Sequence, residues 1–130
     1  MTPPKPRGGY ALNVVPATLY LFLLFVGGVL PGTVQPQGVG NDKLLHALAF
    51  GAAVPLVVRS LAWLRPDLER IPRIVWAGVV ATAAGGLLEV VQAFLPHRTA
   101  ELLDFVADGV GALLFALAVA AFRPLPSWRG

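Results

Sequence analysis

Apolar residues run along this chain in four long stretches. Segments at about 11–30, 44–64, 74–95 and 102–122 each approach the roughly 20 residues that cross a hydrocarbon layer about 30 Å thick. Prolines, glycines and charges separate them, and strict alternation of apolar and polar residues is absent. Helices rather than barrel strands must therefore satisfy the backbone inside lipid. The pattern predicts an all-α, four-helix transmembrane bundle.

Composition supports a membrane protein over a soluble one. Of 130 residues, 56% are hydrophobic and 13% charged, against about 25% charged in soluble domains. The net charge of +3 comes without a basic run, so we expect no nucleic-acid partner. The chain has no cysteine and so forms no disulfide. We expect one domain over 11–122, a disordered cytoplasmic N-terminus over 1–10 and a cytoplasmic tail over 123–130.

The first stretch has one alternative interpretation, because Lys5 and Arg7 before an apolar run also resemble the start of a secretory signal. The run is long for a signal, and no A-x-A-like cleavage site follows it. We therefore interpret it as a span.

The distribution of cations predicts the topology. With the N-terminus inside, eight of the ten lysines and arginines fall on the cytoplasmic side, as the positive-inside rule requires. These eight are Lys5, Arg7, Arg59, Arg65, Arg70, Arg73, Arg123 and Arg129. Both termini are then cytoplasmic (N-in, C-in), and Lys43 and Arg98 lie outside.

Ionisable residues converge in the outer half of the predicted bundle. Each costs about 2.5–3.5 kcal/mol on insertion scales, so each needs a partner or a function. Glu89 precedes the predicted helix end at Leu95 by six residues, and Asp108 follows Leu102 by six, which places both about 9 Å below the outer boundary. His46 lies one turn into the second span, with Asp42 and Lys43 just before it.

Helical spacing predicts that these groups face one another. Glu101, Asp104, Asp108 and Gly111 form one stripe on the fourth span. Gly78, Thr82 and Gly86 repeat every fourth residue of the third span beside Gly85, Glu89 and Gln92, and small residues of this kind allow close helix packing. We expect Glu89 to point inward. Eight residues form the predicted polar cluster: Asp42, Lys43, His46, Glu89, Gln92, Arg98, Asp104 and Asp108.

Three motifs together resemble the VanZ-like family of small helical membrane proteins. They are Asp42-Lys43-Leu44-Leu45-His46, then Glu89-x-x-Gln92 with a following Leu95-Pro96-His97-Arg98, then Asp104-x-x-x-Asp108-x-x-Gly111-Ala112. The resemblance covers about residues 41–115, and the family usually has Asn at the position of Asp108. It implies a link to low-level teicoplanin resistance but no defined biochemical activity.

The residues leave three interpretations of the cluster open. It could be a structural polar network that fixes helix register. It could bind an amphiphile at the outer leaflet, such as an envelope lipid, a lipid-linked cell-wall precursor or a lipoglycopeptide, with Lys43 and Arg98 on an anionic group. It could be an intramembrane enzyme site in which His46, Glu89, Asp104 and Asp108 provide acid–base or metal-assisted chemistry.

We favour the binding interpretation and place the chain in a bacterial inner membrane as a multi-pass protein. We see no catalytic motif of the H-E-x-x-H type and name no metal or cofactor. Membrane lipids are the expected partners, and the small-residue faces allow homo-oligomers.

Overall fold

The computed structural model describes residues 8–31 and 42–122, and every regular element in these ranges is helical. The helices are α1 (Gly9–Asn13), α2 (Val15–Val29), α3 (Asp42–Leu64), α4 (Arg70–Gln92) and α5 (Leu102–Ala121). Within the described ranges, α3, α4 and α5 are long and apolar enough to cross a membrane, and α2 is a shorter apolar helix. The all-α prediction is confirmed, and three such helices suggest a multi-pass membrane protein. The predicted tail 123–130 lies outside the described residues.

The first predicted span is interrupted at Val14, between α1 and α2. Pro16 stands in the first turn of α2, where its missing N–H is tolerated. The side-chain amide of Asn13 donates to the backbone carbonyl of Gly9 at 2.6 Å. The Ser60 hydroxyl donates to the backbone carbonyl of Asn13 at 2.8 Å. These bonds stabilise the break and join it to α3.

The predicted disorder of residues 1–10 needs correction at its end. Most of that segment lies outside the described residues, but Gly9 and Tyr10 belong to α1. The Tyr10 ring packs edge-to-face on Trp63 with centroids 5.6 Å apart. Because Gly9 also lies against the Trp63 indole, aromatic packing holds this turn onto α3.

Helices α3, α4 and α5 pack on one another most extensively, and α2 lies against α3 and α4. The buried core is built mainly from small side chains, which let helix backbones approach closely. Its members are Ala17, Ala53, Val54, Val57, Ala77, Ala81 and Ala112.

Two glycines permit the closest approach of α3 to α5. A Cβ on Gly111 would clash with the backbone of Ala47, and a Cβ on Gly51 would meet the Phe115 ring and the Gly111 carbonyl oxygen. The sequence placed Gly111 on the inner stripe of the fourth span. The contact with Ala47 gives that glycine a packing role beside the polar cluster.

Helix α4 is shifted toward its N-terminus relative to the predicted span 74–95, since it begins at Arg70 and ends at Gln92. After Gln92 the amides of Phe94 and Leu95 bond to carbonyls three residues back, which marks a turn rather than a continuing α-helix. Pro96 disfavours helical backbone at Leu95. Glu89 therefore lies three residues from the end of α4, rather than the six residues from Leu95 in the predicted span.

Arginine side chains stabilise the other end of the bundle. The Arg70 guanidinium donates to the carbonyls of Val119 and Ala120 at 2.6 and 3.1 Å and to that of Phe122 at 2.7 Å. These acceptors lie at the C-terminus of α5, whose last carbonyls lack helical partners. In the neighbouring turn, the exposed Arg65 guanidinium lowers the pKa of Asp67 through a hydrogen-bonded ion pair at 2.9 Å.

Candidate functional site

Three helices meet at one end of the bundle, which we call the site end. There α3 and α5 begin, α4 ends, and residues 93–101 connect α4 to α5. The C-terminus of α2 lies at the same end. The predicted polar residues of α3, α4 and α5 therefore have to lie near one another.

Lys43 joins the first turn of α3 to the start of α5. Its ammonium lies 3.0 Å from a Glu101 oxygen and 3.3 Å from Asp104 Oδ1. About half of the Lys43 and Glu101 side chains is exposed, whereas the Asp104 side chain is 8% exposed. Lys43 thus neutralises the buried carboxylate from the solvent side.

His46 connects α3 to α5 one level deeper. Its Nδ1 lies 2.9 Å from Asp108 Oδ1, and its Nε2 lies 3.7 Å from Asp104 Oδ2. Asp108 is fully buried. Gly85 on α4 provides the space for its carboxyl group, since a Cβ at that position would overlap it. A buried carboxyl group therefore orients the imidazole, and the second ring nitrogen faces Asp104.

Glu89 is inward-facing and 8% exposed, which confirms the predicted orientation. Its Oε2 accepts a hydrogen bond of 2.9 Å from the backbone N–H of Glu101, immediately before α5. Glu89 Oε1 and Asp108 Oδ2 are both buried with no hydrogen-bond partner in the described part of the chain. Such atoms are rare inside proteins and need a physical explanation.

Gln92 and Arg98, the other predicted site residues, bind the end of α2. Gln92 donates to the Gly28 carbonyl at 2.8 Å, and Arg98 donates to the carbonyls of Gly27 and Leu30. The ring of His97 also lies 2.9 Å from the Val29 carbonyl oxygen. These contacts satisfy carbonyls that a helix C-terminus leaves without partners.

A cavity of about 410 Å³ opens beside this cluster. Polar and apolar side chains both line it. The polar ones are Asp42, His46, Gln92, His97, Arg98, Thr99, Glu101 and Asp104, and the larger apolar ones are Leu23, Leu24, Leu45, Phe50 and Leu88. The volume lies in the range of about 300–1,000 Å³ that is typical of small-molecule sites.

The structure thus brings Asp42, Lys43, His46, Asp104 and Asp108 into one group, with Glu89 at its inner edge. Gln92 and Arg98 share the cavity but bond to α2. Sequence reasoning gave His97 no role and did not place Glu101 in the cluster. Glu101 lies on the same helical stripe as Asp104 and Asp108, and this spacing could have placed it in the cluster. No sequence pattern predicts the contact of His97 with a carbonyl of another helix.

Within residues 8–31 and 42–122, two sets of side chains have ligand atoms close enough to share a metal ion. One is Asp42, His46 and Asp104, and the other is His46, Glu89 and Asp108; within each set the ligand atoms lie within 4.8 Å of one another. Imidazole and carboxylate are ligands for several divalent ions. The same groups could also transfer protons to or from a molecule in the cavity.

Comparison of the chain with the profiles of known families, with curated proteins and with solved structures finds no match. The likeness to the VanZ-like family therefore rests on the three motifs, and the assignment stays a prediction.

Proposed function

We propose that this chain is a VanZ-like protein of a bacterial inner membrane that binds an envelope amphiphile in the site-end cavity. The ligand class comprises membrane lipids, lipid-linked cell-wall precursors and lipoglycopeptides such as teicoplanin. The cavity carries this proposal, since polar and apolar side chains line one space of about 410 Å³. That combination fits a molecule with a hydrophilic head and a hydrocarbon chain.

The proposed topology places the site end at the outer leaflet. With α2 as a fourth span, both termini are cytoplasmic (N-in, C-in), and Arg59, Arg65, Arg70 and Arg73 lie at the cytoplasmic end. The site end carries carboxylates instead. This asymmetry agrees with the positive-inside rule.

The cavity wall favours a head group that donates hydrogen bonds. Lys43 is already paired with Glu101 and Asp104, and Arg98 bonds to α2 carbonyls. The other polar groups that line the cavity include three carboxyl groups and two imidazoles, those of Asp42, Glu101, Asp104, His46 and His97. Hydroxyls, amides and amines of a sugar or peptide head group would bind there better than an isolated phosphate.

The apolar residues that line the cavity would hold the hydrocarbon chain of the same ligand. Leu23 and Leu24 come from α2, Leu45 and Phe50 from α3, and Leu88 from α4. Burial of hydrocarbon against such side chains contributes about 25 cal/mol per Å². The head group and the hydrocarbon tail of the ligand would thus bind in the same cavity.

Ligand binding to the purified full chain in lipid nanodiscs tests the proposal. Fluorescently labelled teicoplanin and a labelled lipid-linked cell-wall precursor serve as probes. Asp104→Asn should weaken binding by about tenfold or more, because it removes a charge-assisted hydrogen bond. Asp67→Asn, the same change in an exposed turn at the other end, is the matched control. Failure of the wild type to bind either probe above empty nanodiscs would refute the proposal.

A second candidate is an intramembrane enzyme that acts on a lipid-linked substrate. One observation favours it: Asp108 holds His46 Nδ1 at 2.9 Å while the imidazole lines the cavity. A carboxyl group that orients an imidazole is a frequent arrangement for general acid–base catalysis. Incubation with the labelled precursor and mass spectrometry of the lipid extract test this candidate, which requires a product that His46→Gln fails to form.

The cluster could also serve structure alone, as a network that fixes the register of α3, α4 and α5. If the well-folded wild type neither binds a probe nor forms a product, the structural role is the explanation that remains for the cluster. Thermal unfolding of the Asp104→Asn variant measures it directly, since a register-fixing bond contributes to stability with or without a ligand.

A further inference from the structure

The deepest part of the polar cluster contains two carboxyl oxygens whose bonding is incomplete. Asp108 is fully buried and Glu89 is 8% exposed, yet Asp108 Oδ2 and Glu89 Oε1 have no hydrogen-bond partner in the described ranges. Leaving a buried polar atom unpaired costs about 1–3 kcal/mol, and more for a charged one. Both residues belong with His46 to one set of possible metal ligands, and a cation bound there would pair with their oxygen atoms.

We propose that His46, Glu89 and Asp108 form a binding site for one divalent transition-metal ion. One ligand atom from each residue lies within 4.8 Å of the other two. The three residues come from α3, α4 and α5 respectively, so an ion at this point would connect all three long helices.

The distances suit such an ion. His46 Nδ1 and Asp108 Oδ1 are 2.9 Å apart, and two adjacent ligands at about 2.1 Å from one ion at a right angle lie about 3 Å apart. An ion can thus replace the shared proton between His46 Nδ1 and Asp108 Oδ1, and the two atoms need not move apart. The Glu89 side chain must move to reach the ion, and its unpaired Oε1 can then serve as the ligand atom.

Charge also favours a cation here. In the described part of the chain, the cation that pairs with the cluster is Lys43. It binds Glu101 and Asp104 rather than the deeper carboxyl groups of Glu89 and Asp108. Among the described residues, His46 is the basic group that lies near the carboxyl groups of Glu89 and Asp108. A divalent ion would neutralise both carboxylates in a region where unpaired charge is costly.

The ligand chemistry selects the class of ion. An imidazole with two carboxylates suits Zn²⁺, Mn²⁺ or Fe²⁺, whereas Ca²⁺ and Mg²⁺ prefer all-oxygen sites. With three protein ligands, further coordination positions stay open to water or to a group entering from the cavity that His46 lines.

Metal binding to the full chain in detergent micelles tests this inference without any lipid ligand. The protein carries a purification tag without histidine, is treated with chelator, and is titrated with Zn²⁺ and Mn²⁺ by calorimetry. Elemental analysis after dialysis measures the ion retained. The expected result is about one ion per chain and a higher thermal unfolding temperature with metal.

Two variants each remove one proposed ligand of the ion. Glu89→Gln keeps an oxygen that accepts the Glu101 N–H, and Asp108→Asn keeps one that faces His46 Nδ1, so both remove charge with little change of shape. Outer-shell partners of metal ligands alone contribute about 10–100-fold to affinity. Loss of a direct carboxylate ligand should therefore weaken binding by about 100-fold or more, with Asp67→Asn as the unaffected control.

Asp42→Asn distinguishes this set from the other one that includes His46. Binding that survives Asp42→Asn but not Glu89→Gln or Asp108→Asn supports the proposal. Binding lost in Asp42→Asn but kept in Glu89→Gln overturns the location, and a wild type that retains no ion overturns the site. Circular dichroism of each variant shows whether it is folded. Because the assay contains neither teicoplanin nor a lipid-linked precursor and measures only the metal ion, its result is independent of the ligand-binding proposal.

Discussion

Gly85 and Asp108 lie so close that a methyl group on Gly85 would occupy the space of the Asp108 carboxyl group. The glycine on α4 thereby allows a full carboxyl side chain to be buried on α5. It also fixes where that side chain meets His46. Packing and polar geometry therefore depend on each other at this position.

Gly85→Ala is expected to destabilise the protein by about 1–3 kcal/mol, because an overpacked interface must shift. The Cβ would displace Asp108 and lengthen its contact with His46. Gly78→Ala, on the same helix with nothing within 4 Å of the added Cβ, is the control. It should be neutral or stabilising by up to about 1 kcal/mol. Chemical unfolding in micelles measures both, and equal effects would contradict this account of Gly85.

Asp108→Asn and Asp108→Ala should differ clearly in stability. The amide oxygen of Asn can accept a hydrogen bond from His46 at nearly the same volume, and Asn stands here in the family that the motifs resemble. Alanine leaves a cavity and removes the partner of His46 Nδ1, at a cost of about 1–3 kcal/mol for the bond alone. Thermal unfolding followed by circular dichroism compares the two. A chain that tolerates Ala as well as Asn would show that the contact has no stabilising role.

Arg70→Gln should destabilise the protein by about 1.5–3 kcal/mol, since it removes charge-assisted hydrogen bonds to the C-terminus of α5. Arg65→Gln is the matched control because the Arg65–Asp67 pair is more than half exposed. Such surface pairs contribute about 0–1 kcal/mol. Unfolding titrations separate the two variants, and hydrogen exchange at residues 119–122 should increase in Arg70→Gln alone.

Arg98→Ala should weaken the attachment of α2 to the remaining helices. The guanidinium bonds to carbonyls at both Gly27 and Leu30, so its loss leaves the end of α2 with fewer partners. Limited proteolysis near residue 31 and hydrogen exchange along α2 measure the change. Arg59→Ala, which removes a bond to Asn13 at the other end of the bundle, is the control. Unaltered exchange at residues 27–30 in Arg98→Ala would argue against this role.

Single cysteines test the orientation, because the chain has no cysteine of its own. In intact cells, Thr99→Cys should react with a membrane-impermeant maleimide, and Asp67→Cys should react only after the membrane is opened. Both positions are exposed and lie in connections at opposite ends of the bundle. The reverse pattern of labelling would overturn the proposed topology and move the cavity to the cytoplasmic face.

The sequence was sufficient for the parts of the fold that depend on periodicity and on the cost of burying charge. Apolar length predicted α3, α4 and α5, and the expense of a carboxylate in lipid predicted that Glu89 faces inward. The end of that helix was misplaced by three residues, because α4 ends at Gln92, where a local turn before Pro96 replaces the last helical turn.

Contacts between residues distant in sequence were beyond such reasoning. The bond from the Glu101 amide to Glu89 and the His97 contact with Val29 depend on how the 93–101 connection folds back. The break at Val14 likewise depends on Asn13 and Ser60, residues of different helices. Patterns along one helix contain no information about these pairings.

The shortness of α2 has a consequence for the surrounding bilayer. Its fifteen residues extend about 22 Å, against about 30 Å of hydrocarbon, while the three long helices can span the full thickness. In the proposed four-span arrangement, lipid on the α2 side would become thinner, or α1 would lie below the head groups, to avoid hydrophobic mismatch. The wall of the cavity that α2 forms is therefore the part of the protein most sensitive to acyl-chain length.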